Sequence, residues 1–277
     1  MKINPHISET RFEPPSISLK GRFPFSLACP SFVYPAGYME NIRLLAPVVD
    51  EIELLFFESR SETDLPDPAL IQKLHALGQE QDLTYHLHLP MDIDPGHENA
   101  AIRKTAIHTL CELIDRTAVL TPATFTLHLT QGADCPFLPR WQAHAMESLK
   151  QVLDNRLPSR LISVENIDDQ FNEVAAPIVE ALDLSVCMDT GHLMLYQMDI
   201  NAFFQQWQDR MTIIHFHGVA DGKDHQPLDN LSSNQAKTCL EILNSFSGTV
   251  SLEVFSIDAL NPSMAWMMDH ADHLKAK

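Results

Sequence analysis

A chain of 277 residues with 45% hydrophobic and 20% charged residues has enough apolar side chains to build one large globular domain. Its 19 Lys and Arg residues stand against 37 Asp and Glu residues, which gives a formal net charge of −18 at pH 7. Because proteins bind duplex nucleic acid through basic surfaces, this balance disfavours nucleic acid as the main ligand.

The cysteines and the apolar runs indicate the cellular compartment in which the protein is expected. The five cysteines are widely spaced and form no Cys-x-x-Cys pair, which is typical of reduced, buried thiols rather than of disulfides or a cysteine-bound zinc site. The first residues are polar and include proline, unlike a secretory signal, and no apolar run approaches the roughly 20 residues that span a bilayer. We therefore expect a soluble, cytoplasmic protein without a membrane span.

Short apolar runs alternate along the chain with longer segments of helical periodicity. Residues 1–22 lack this alternation and are predicted to form an N-terminal arm, so that the folded domain covers residues 23–277. Eight strands are predicted in this domain, at residues 25–32, 51–59, 83–89, 124–130, 161–167, 185–191, 212–219 and 250–256. Eight such alternations favour an α/β fold with a single (β/α)₈ barrel over an open doubly wound sheet, whose Gly-rich first turn is absent.

Ionisable residues recur near the ends of these predicted strands, where a buried parallel strand normally carries Val, Ile or Leu. The C-terminal ends of parallel barrel strands surround one mouth, which is the usual active-site face. Side chains at positions i and i+2 share a face, so the paired histidines of the third and seventh strands should point the same way. The residues predicted to meet at the mouth are Glu58, His86, His88, His128, Glu165, Asn166, Asp189, His192, His215, His217 and Glu253.

Imidazoles and carboxylates gathered in this way indicate a divalent metal site for Zn²⁺, Mn²⁺ or Fe²⁺, and their mixture does not choose among these ions. Isolated charges in four consecutive barrel strands are costly without a compensating cation. The strongest set therefore has one residue from each of the last four predicted strands: Glu165, Asp189, His215 and Glu253. A lone strand histidine such as His86 is more often structural than a ligand, and Glu58 could instead pair with Arg60.

The order of these residues resembles the endonuclease IV and xylose isomerase-like barrel superfamily over nearly the whole chain after the arm. His88-Leu-Pro is similar to that superfamily's His-x-Pro on the third strand. The resemblance implies a metal-ligand set of Glu165, Asp189, His192, His215 and Glu253, extended by His88, His128, Asp224 and His225. The superfamily's Asp-x-His after the seventh strand is replaced here by adjacent Asp224 and His225, so the number of ions stays open at one, two or three.

Four longer segments, at residues 31–59, 163–168, 187–196 and 215–228, resemble more specifically the cobamide-remodelling phosphodiesterases of the CbiR family. That resemblance implies hydrolysis of the phosphoester in the nucleotide loop of a cobamide, a corrinoid substrate, to give a cobinamide-type product. Nothing in composition or spacing by itself indicates a corrinoid.

The leading hypothesis is thus a metal-dependent phosphodiesterase, because bound metal activates water and neutralises charge on a phosphoryl group. Its predicted catalytic residues are Glu165, Glu253 and His217, the last of which could instead be a ligand or a phosphate contact. Its predicted substrate contacts are His86, Glu58, Arg60 and Lys223.

Three alternatives remain. In a sugar isomerase or epimerase, Glu165 and Glu253 could act as acid and base beside a single ion, although the surplus of imidazoles favours the hydrolase. Abasic-site cleavage in DNA is disfavoured by the charge of −18. A non-catalytic cobamide- or metal-binding protein would bind corrinoid without turning it over.

Overall fold

The computed structural model describes residues 12–56, 58–59, 66–154 and 156–274. Ten strands lie in these ranges: β1 (Ser26–Pro30), β2 (Glu51–Leu55), β3 (Thr84–His88), β4 (Phe125–Leu127), β5 (Ile162–Glu165), β6 (Ser185–Asp189), β7 (Met211–His215), β8 (Gly218–Ala220), β9 (Lys223–Gln226) and β10 (Thr249–Ser251). Eight of them close into a barrel in the order β1-β10-β7-β6-β5-β4-β3-β2. All pairings within the barrel are parallel, whereas β8 and β9 form a separate antiparallel hairpin.

Helices connect the barrel strands: α1 (Tyr38–Leu45), α2 (Pro68–Gln81), α3 (Ala100–Thr117), α4 (Leu138–Leu153), α5 (Phe171–Val174), α6 (Ala176–Leu182), α7 (Thr190–Leu195), α8 (Ile200–Trp207), α9 (Ser233–Leu243) and α10 (Ile257–Asp269). Local sequence explains where several of them begin. Asp67 caps α2, which then starts with Pro68, and Ser232 caps α9 in a reciprocal capping box with Gln235. In the described ranges no helix is both long enough and apolar enough to cross a membrane.

The barrel confirms the predicted fold class, and each of the eight predicted strands is present. The observed strands end earlier than predicted; the strand expected at residues 51–59, for example, ends at Leu55. The hairpin of β8 and β9 was not predicted. Its two-residue turn is Asp221-Gly222, both with positive φ, which is the Asp-Gly chemistry that tight hairpins favour.

The part of the predicted N-terminal arm that the structure describes, residues 12–22, packs on the barrel. The Leu19 amide donates to the Val48 carbonyl at 2.9 Å, and the Leu19 side chain is fully buried. Lys20 Nζ donates to the carbonyls of Ala46 and Gln81, each at 3.1 Å. These contacts attach the segment to the connections that precede β2 and β3.

The barrel strands alternate between polar residues that face the interior and apolar residues that face the helices. Leu87 lies between His86 and His88, and Val164 lies between Ser163 and Glu165, with all of these residues buried. Burying one such Leu or Val contributes about 1.5–3 kcal/mol, and slipping a strand by one residue would exchange the two faces. The apolar shell therefore determines which side chains enter the barrel, whose interior is more polar than the usual filling of Val, Ile and Leu.

Candidate metal-binding active site

Glu165 lies at the centre of a cluster of imidazoles at the mouth of the barrel, at the end of β5. Its Oε2 is 3.1 Å from His128 Nε2, 3.3 Å from His88 Nε2 and 3.4 Å from His215 Nδ1. Its Oε1 is 3.5 Å from His192 Nδ1. One buried carboxylate thus faces four imidazoles from four different elements of the fold.

Asp189 ends β6 and caps the helix that follows it. Its Oδ1 accepts a hydrogen bond from the His192 amide at 2.6 Å, which satisfies one of the free N–H groups at the start of α7. That contact directs Oδ2 into the mouth, 3.1 Å from His217 Nε2 and 3.4 Å from His192 Nδ1. Asn166 holds the backbone of Asp189 through hydrogen bonds of 2.8 and 2.9 Å.

Gly191 permits the close approach of His217 to this turn. A Cβ atom at residue 191 would lie 1.9 Å from His217 Cε1, a separation that no side chain can occupy. The Asp-Thr-Gly-His order of residues 189–192 therefore has a structural basis, since it joins a capping carboxylate to a glycine that leaves room for His217.

His215 and Glu253 complete the centre of the mouth. His215 Nδ1 is 3.1 Å from Glu253 Oε2, and both residues are almost fully buried. Among the described residues, Glu253 Oε2 and both ring nitrogens of His215 have no hydrogen-bond partner. Buried polar atoms without partners are costly, and a cation between them would satisfy them. This donor set of carboxylate oxygens and imidazole nitrogens fits a divalent metal ion.

The hairpin of β8 and β9 brings a further group of imidazoles to the same mouth. The His225 amide donates to His217 Nδ1 at 2.9 Å, and His225 Nδ1 lies 3.0 Å from the Glu253 carbonyl oxygen. Asp224 Oδ2 is 3.5 Å from His192 Nε2. His192, His217 and His225 have nitrogens close enough to one another to share an ion.

The candidate ligands therefore fall into three neighbouring sets, of which the first two share Glu165. The first set is His88, His128 and Glu165. The second set is Glu165, Asp189, His215 and Glu253. The third set is His192, His217, His225 and Asp224. Glu165 belongs to the first and second sets, and Asp189 lies between the second and third.

Comparison with known proteins gives the family of this fold. A family model described as Xylose isomerase-like TIM barrel matches residues 49–277, which is most of the chain. The chain belongs to this family. A search of curated proteins finds no match.

Solved structures similar to this xylose isomerase-like barrel include a D-tagatose 3-epimerase-like protein, with a TM-score of 0.76 and 16% identity over 90% of this chain and 98% of that one. D-psicose 3-epimerase with D-tagatose from Clostridium cellulolyticum H10 has a TM-score of 0.71 and 14% identity over 90% and 99%. The IOLI protein with a bound zinc atom has a TM-score of 0.72 and 14% identity over 91% and 100%. At these identities the similarity shows the fold alone.

The mouth of this xylose isomerase-like barrel brings together most of the residues predicted to form the site. They are His88, His128, Glu165, Asn166, Asp189, His192, His215, His217, Asp224, His225 and Glu253. The i and i+2 pairs of histidines share a face, as the strand geometry required. Their roles as ligands, acids or bases are proposals that the geometry supports.

Of the four predicted substrate contacts, one is buried, two are exposed and one lies outside the described residues. His86 is fully buried beneath the mouth, with Nδ1 2.6 Å from Glu51 Oε1, which corrects its placement at the substrate surface. Glu58 lies three residues beyond the end of β2 and is exposed rather than on the strand. Lys223 is exposed on the hairpin, and Arg60 lies outside the described residues.

Two buried carboxylates on β2, Glu51 and Glu53, were not among the predicted site residues. They face His86 from either side, at 2.6 Å and 3.7 Å. A signal was present in the sequence, since two Glu residues at i and i+2 in a predicted buried strand must share one face of it. Both residues lie near the start of that strand, away from the expected mouth, so they were not predicted to contact the site.

Packed opposite charges shift the pKa values of the acids and imidazoles at the mouth. Burial alone would raise the pKa of Asp189, but the imidazoles of His217 and His192 outweigh burial and lower it to about 2. Burial would lower the pKa of His217, but the charge of Asp189 and the hydrogen bond to it raise that pKa to about 9. These two shifts describe one interaction. The pKa of Glu165 is likewise held well below its ordinary value, because His215 and His128 outweigh burial.

The pair of Asp189 and His217 predicts how the stability of the metal-free protein depends on pH. The lowered pKa of Asp189 means that its contribution is present above the ordinary Asp value and is lost as the pH falls through about 2. The raised pKa of His217 means that its contribution is present below the ordinary His value and is lost as the pH rises through about 9. We therefore expect the Tm of chelator-treated protein to fall by several degrees between about pH 6.5 and about pH 9.5.

Added metal should oppose this trend, because imidazole ligands must be neutral and metal ions compete with protons for them. Thermal unfolding followed by circular dichroism, with chelator and then with Zn²⁺ or Mn²⁺, measures both curves. In the control variant His217→Asn the pair is absent, so the metal-free Tm should fall less over the same range. A wild-type, metal-free Tm that rises with pH here would contradict the assignment.

Proposed function

We propose that this protein is a metal-dependent hydrolase that cleaves a phosphoester, with more than one divalent ion at the mouth of the barrel. The observation that carries this proposal is the presence of three neighbouring sets of candidate ligands around Glu165 and Asp189. A single ion would need only the second set. Four imidazoles of the first and third sets, those of His88, His128, His192 and His217, lie 3.1 to 3.4 Å from Glu165 or Asp189 and could bind further ions.

When bound, neighbouring divalent ions supply an activated water and neutralise charge on both the attacking and the leaving oxygen of a phosphoester. The residues of the chain set the spacing of that centre. Glu165 Oε2 faces the first and second sets at once, and Asp189 Oδ2 faces His217 and His192. Two buried carboxylates, each fixed at the end of a barrel strand, thereby set the distances between the three sets of candidate ligands.

Glu253 and His217 are the groups best placed to handle protons. Glu253 Oε2 is buried without a hydrogen-bond donor in the described part of the chain, so it can accept a proton from an attacking water when it is not itself bound to a metal ion. His217 Nε2 is hydrogen-bonded to Asp189, which orients the ring as carboxylates orient catalytic histidines. Glu253 and His217 both belong to the three catalytic residues that the sequence predicts, of which the third is Glu165.

A cobamide is the phosphoester that we propose as substrate. The support is the sequence resemblance to the CbiR family, which includes residues 163–168, 187–196 and 215–228. Those three segments contain Glu165, Asp189 and His215 and therefore much of the site. The corrin ring and the nucleotide loop would lie above the mouth, where the connections after the barrel strands are exposed.

Epimerisation or isomerisation of a sugar is the second candidate. The similar structures named above are described as epimerases or as a zinc-binding protein. In this chain, Glu165 and Glu253 approach His215 Nδ1 at 3.4 Å and 3.1 Å, so one ion flanked by two carboxylates can form from the second set alone. Two carboxylates beside one ion suit proton transfer at a carbon next to a carbonyl group.

Metal content and product identity together distinguish the candidates. The full-length protein is stripped with chelator, reloaded with Zn²⁺, Mn²⁺ or Fe²⁺, and its metal is counted by elemental analysis. It is then incubated with a cobamide, with an abasic DNA duplex and with D-tagatose, and products are identified by mass spectrometry and chromatography. We expect more than one ion per chain and a cobinamide-type product. One ion per chain with conversion of the sugar would instead establish the second candidate.

A further inference from the structure

Beneath the mouth, the interior of the barrel contains three ionisable side chains that the proposed reaction does not use. Glu53 on β2 and His86 on β3 are fully buried, and Glu51 on β2 is 2% exposed. Buried charged groups are expensive unless they are paired, so such residues require a structural reason. The neighbours of Glu53 supply that reason.

One carboxylate oxygen of Glu53 has a hydrogen-bond partner, and the other has none among the described residues. Its Oε2 accepts a hydrogen bond of 2.6 Å from the Ser251 hydroxyl and lies 3.7 Å from His86 Nε2. Its Oε1 faces His215 Nε2 at 3.6 Å. Within the described residues, neither Glu53 Oε1 nor His215 Nε2 has a hydrogen-bond partner. Two buried, complementary atoms therefore face each other across the barrel.

The two ring nitrogens of His215 face different parts of the barrel. Its Nδ1 faces the carboxylates of Glu165 and Glu253 in the mouth, whereas its Nε2 faces Glu53 below. A neutral imidazole has a proton on one ring nitrogen and a lone pair on the other, and only the lone pair can ligate a metal ion. A cation in the mouth would neutralise Glu165 and Glu253 and take the Nδ1 lone pair, and the carboxylate beside Nε2 then stabilises the proton at Nε2.

We propose that Glu53 is a positioning residue, which accepts a hydrogen bond from His215 Nε2–H and so selects the tautomer that binds metal through Nδ1. This inference rests on the proposed metal-dependent function. The separation of 3.6 Å between Glu53 Oε1 and His215 Nε2 is longer than a hydrogen bond to a charged acceptor, which is about 2.7 to 2.9 Å. Metal binding at Nδ1 would make Nε2–H a stronger donor, and we expect the distance to shorten as a result. Ser251 donates a hydrogen bond to the other carboxylate oxygen of Glu53. His86 lies beside that oxygen and is held there by its contact with Glu51, whose Oε1 is 2.6 Å from His86 Nδ1.

The variant Glu53→Gln tests the proposal, because it preserves the volume of the side chain and removes its charge. We expect its affinity for Zn²⁺, measured in full-length protein by competition with a chromophoric chelator, to be weaker by about 10- to 100-fold. Glu53→Ala, which removes the acceptor altogether, should weaken binding at least as much. Thr126→Val is the matched control, since Thr126 is also fully buried and its hydroxyl has no hydrogen-bond partner among the described residues.

A second measurement reports on the tautomer rather than on stability. Long-range ¹H–¹⁵N correlation spectra of zinc-loaded protein labelled with ¹⁵N-histidine should show His215 protonated at Nε2, with the signal assigned from its loss in His215→Asn. In Glu53→Gln this signal should broaden or report a mixture of tautomers. Thermal unfolding of each variant shows separately whether the fold is intact.

The possible results separate this inference from the proposed function. Wild-type protein that binds no metal would overturn the proposed function and the inference with it. Wild-type protein that binds metal, with Glu53→Gln unchanged in affinity and in the His215 signal, would overturn the inference alone. Loss of one whole ion in Glu53→Gln, with the affinity of the others unchanged, would also overturn it, because Glu53 would then be a ligand.

Discussion

Replacing Glu165 with Gln is expected to lower turnover by about a thousandfold and to reduce the metal content of the protein. The carboxylate faces four imidazoles and connects the first and second ligand sets. An amide of the same shape keeps the packing but provides a weak, neutral ligand. Losing about 4 kcal/mol of transition-state stabilisation, a reasonable loss for a metal centre, corresponds to that change in rate. Metal analysis and initial rates after reconstitution measure the two effects.

The matched control for this variant is Glu173→Gln, which changes an exposed Glu on α5 in the same chemical way. It should leave metal content and turnover unchanged. Circular dichroism should show that both variants retain the barrel. If Glu165→Gln binds as many ions as the wild type, with the same affinity, the assignment of the mouth as the metal centre is wrong.

His128→Asn is expected to remove one ion while leaving the others bound, and to lower phosphoester hydrolysis by about 100-fold. His128 contacts Glu165 from the first set, at 3.1 Å, and takes no part in the second set. Its side chain is partly exposed, so the substitution should cost little stability. A loss of about 2.7 kcal/mol in transition-state stabilisation gives that rate effect. Elemental analysis of the reconstituted protein counts the ions.

This variant also discriminates between the two candidate reactions. An epimerase that uses one ion in the second set would lose little activity on its sugar when His128 is replaced. His108→Asn, at an exposed position on α3, is the control for changing a histidine, and it should affect neither metal content nor rate. If His128→Asn hydrolyses a cobamide as fast as the wild type, the first ligand set takes no part in the reaction.

The gathering of the candidate ligands at one mouth could be predicted from the sequence because barrel geometry is regular. Strand alternation predicted that His86 and His88 share a face, as do His215 and His217, and parallel strands ending at one mouth predicted that His128, Glu165 and Glu253 would meet. The hairpin of β8 and β9 was harder to predict, since it begins at Gly218, inside the segment predicted as the seventh strand. Asp221-Gly222 was the local signal for it.

The sequence by itself determined the fold class, the eight strands and the chemical nature of the mouth, because each depends on local periodicity and on residue type. Only the tertiary structure decided how deep each side chain lies and what it faces across the barrel. His86 lies below the mouth, Glu58 and Lys223 are exposed, and Glu53 meets His215 from a strand that is not its neighbour in the sheet. Such contacts depend on how the closed strands are staggered and on side chains that cross the interior, and no local pattern of residues encodes them.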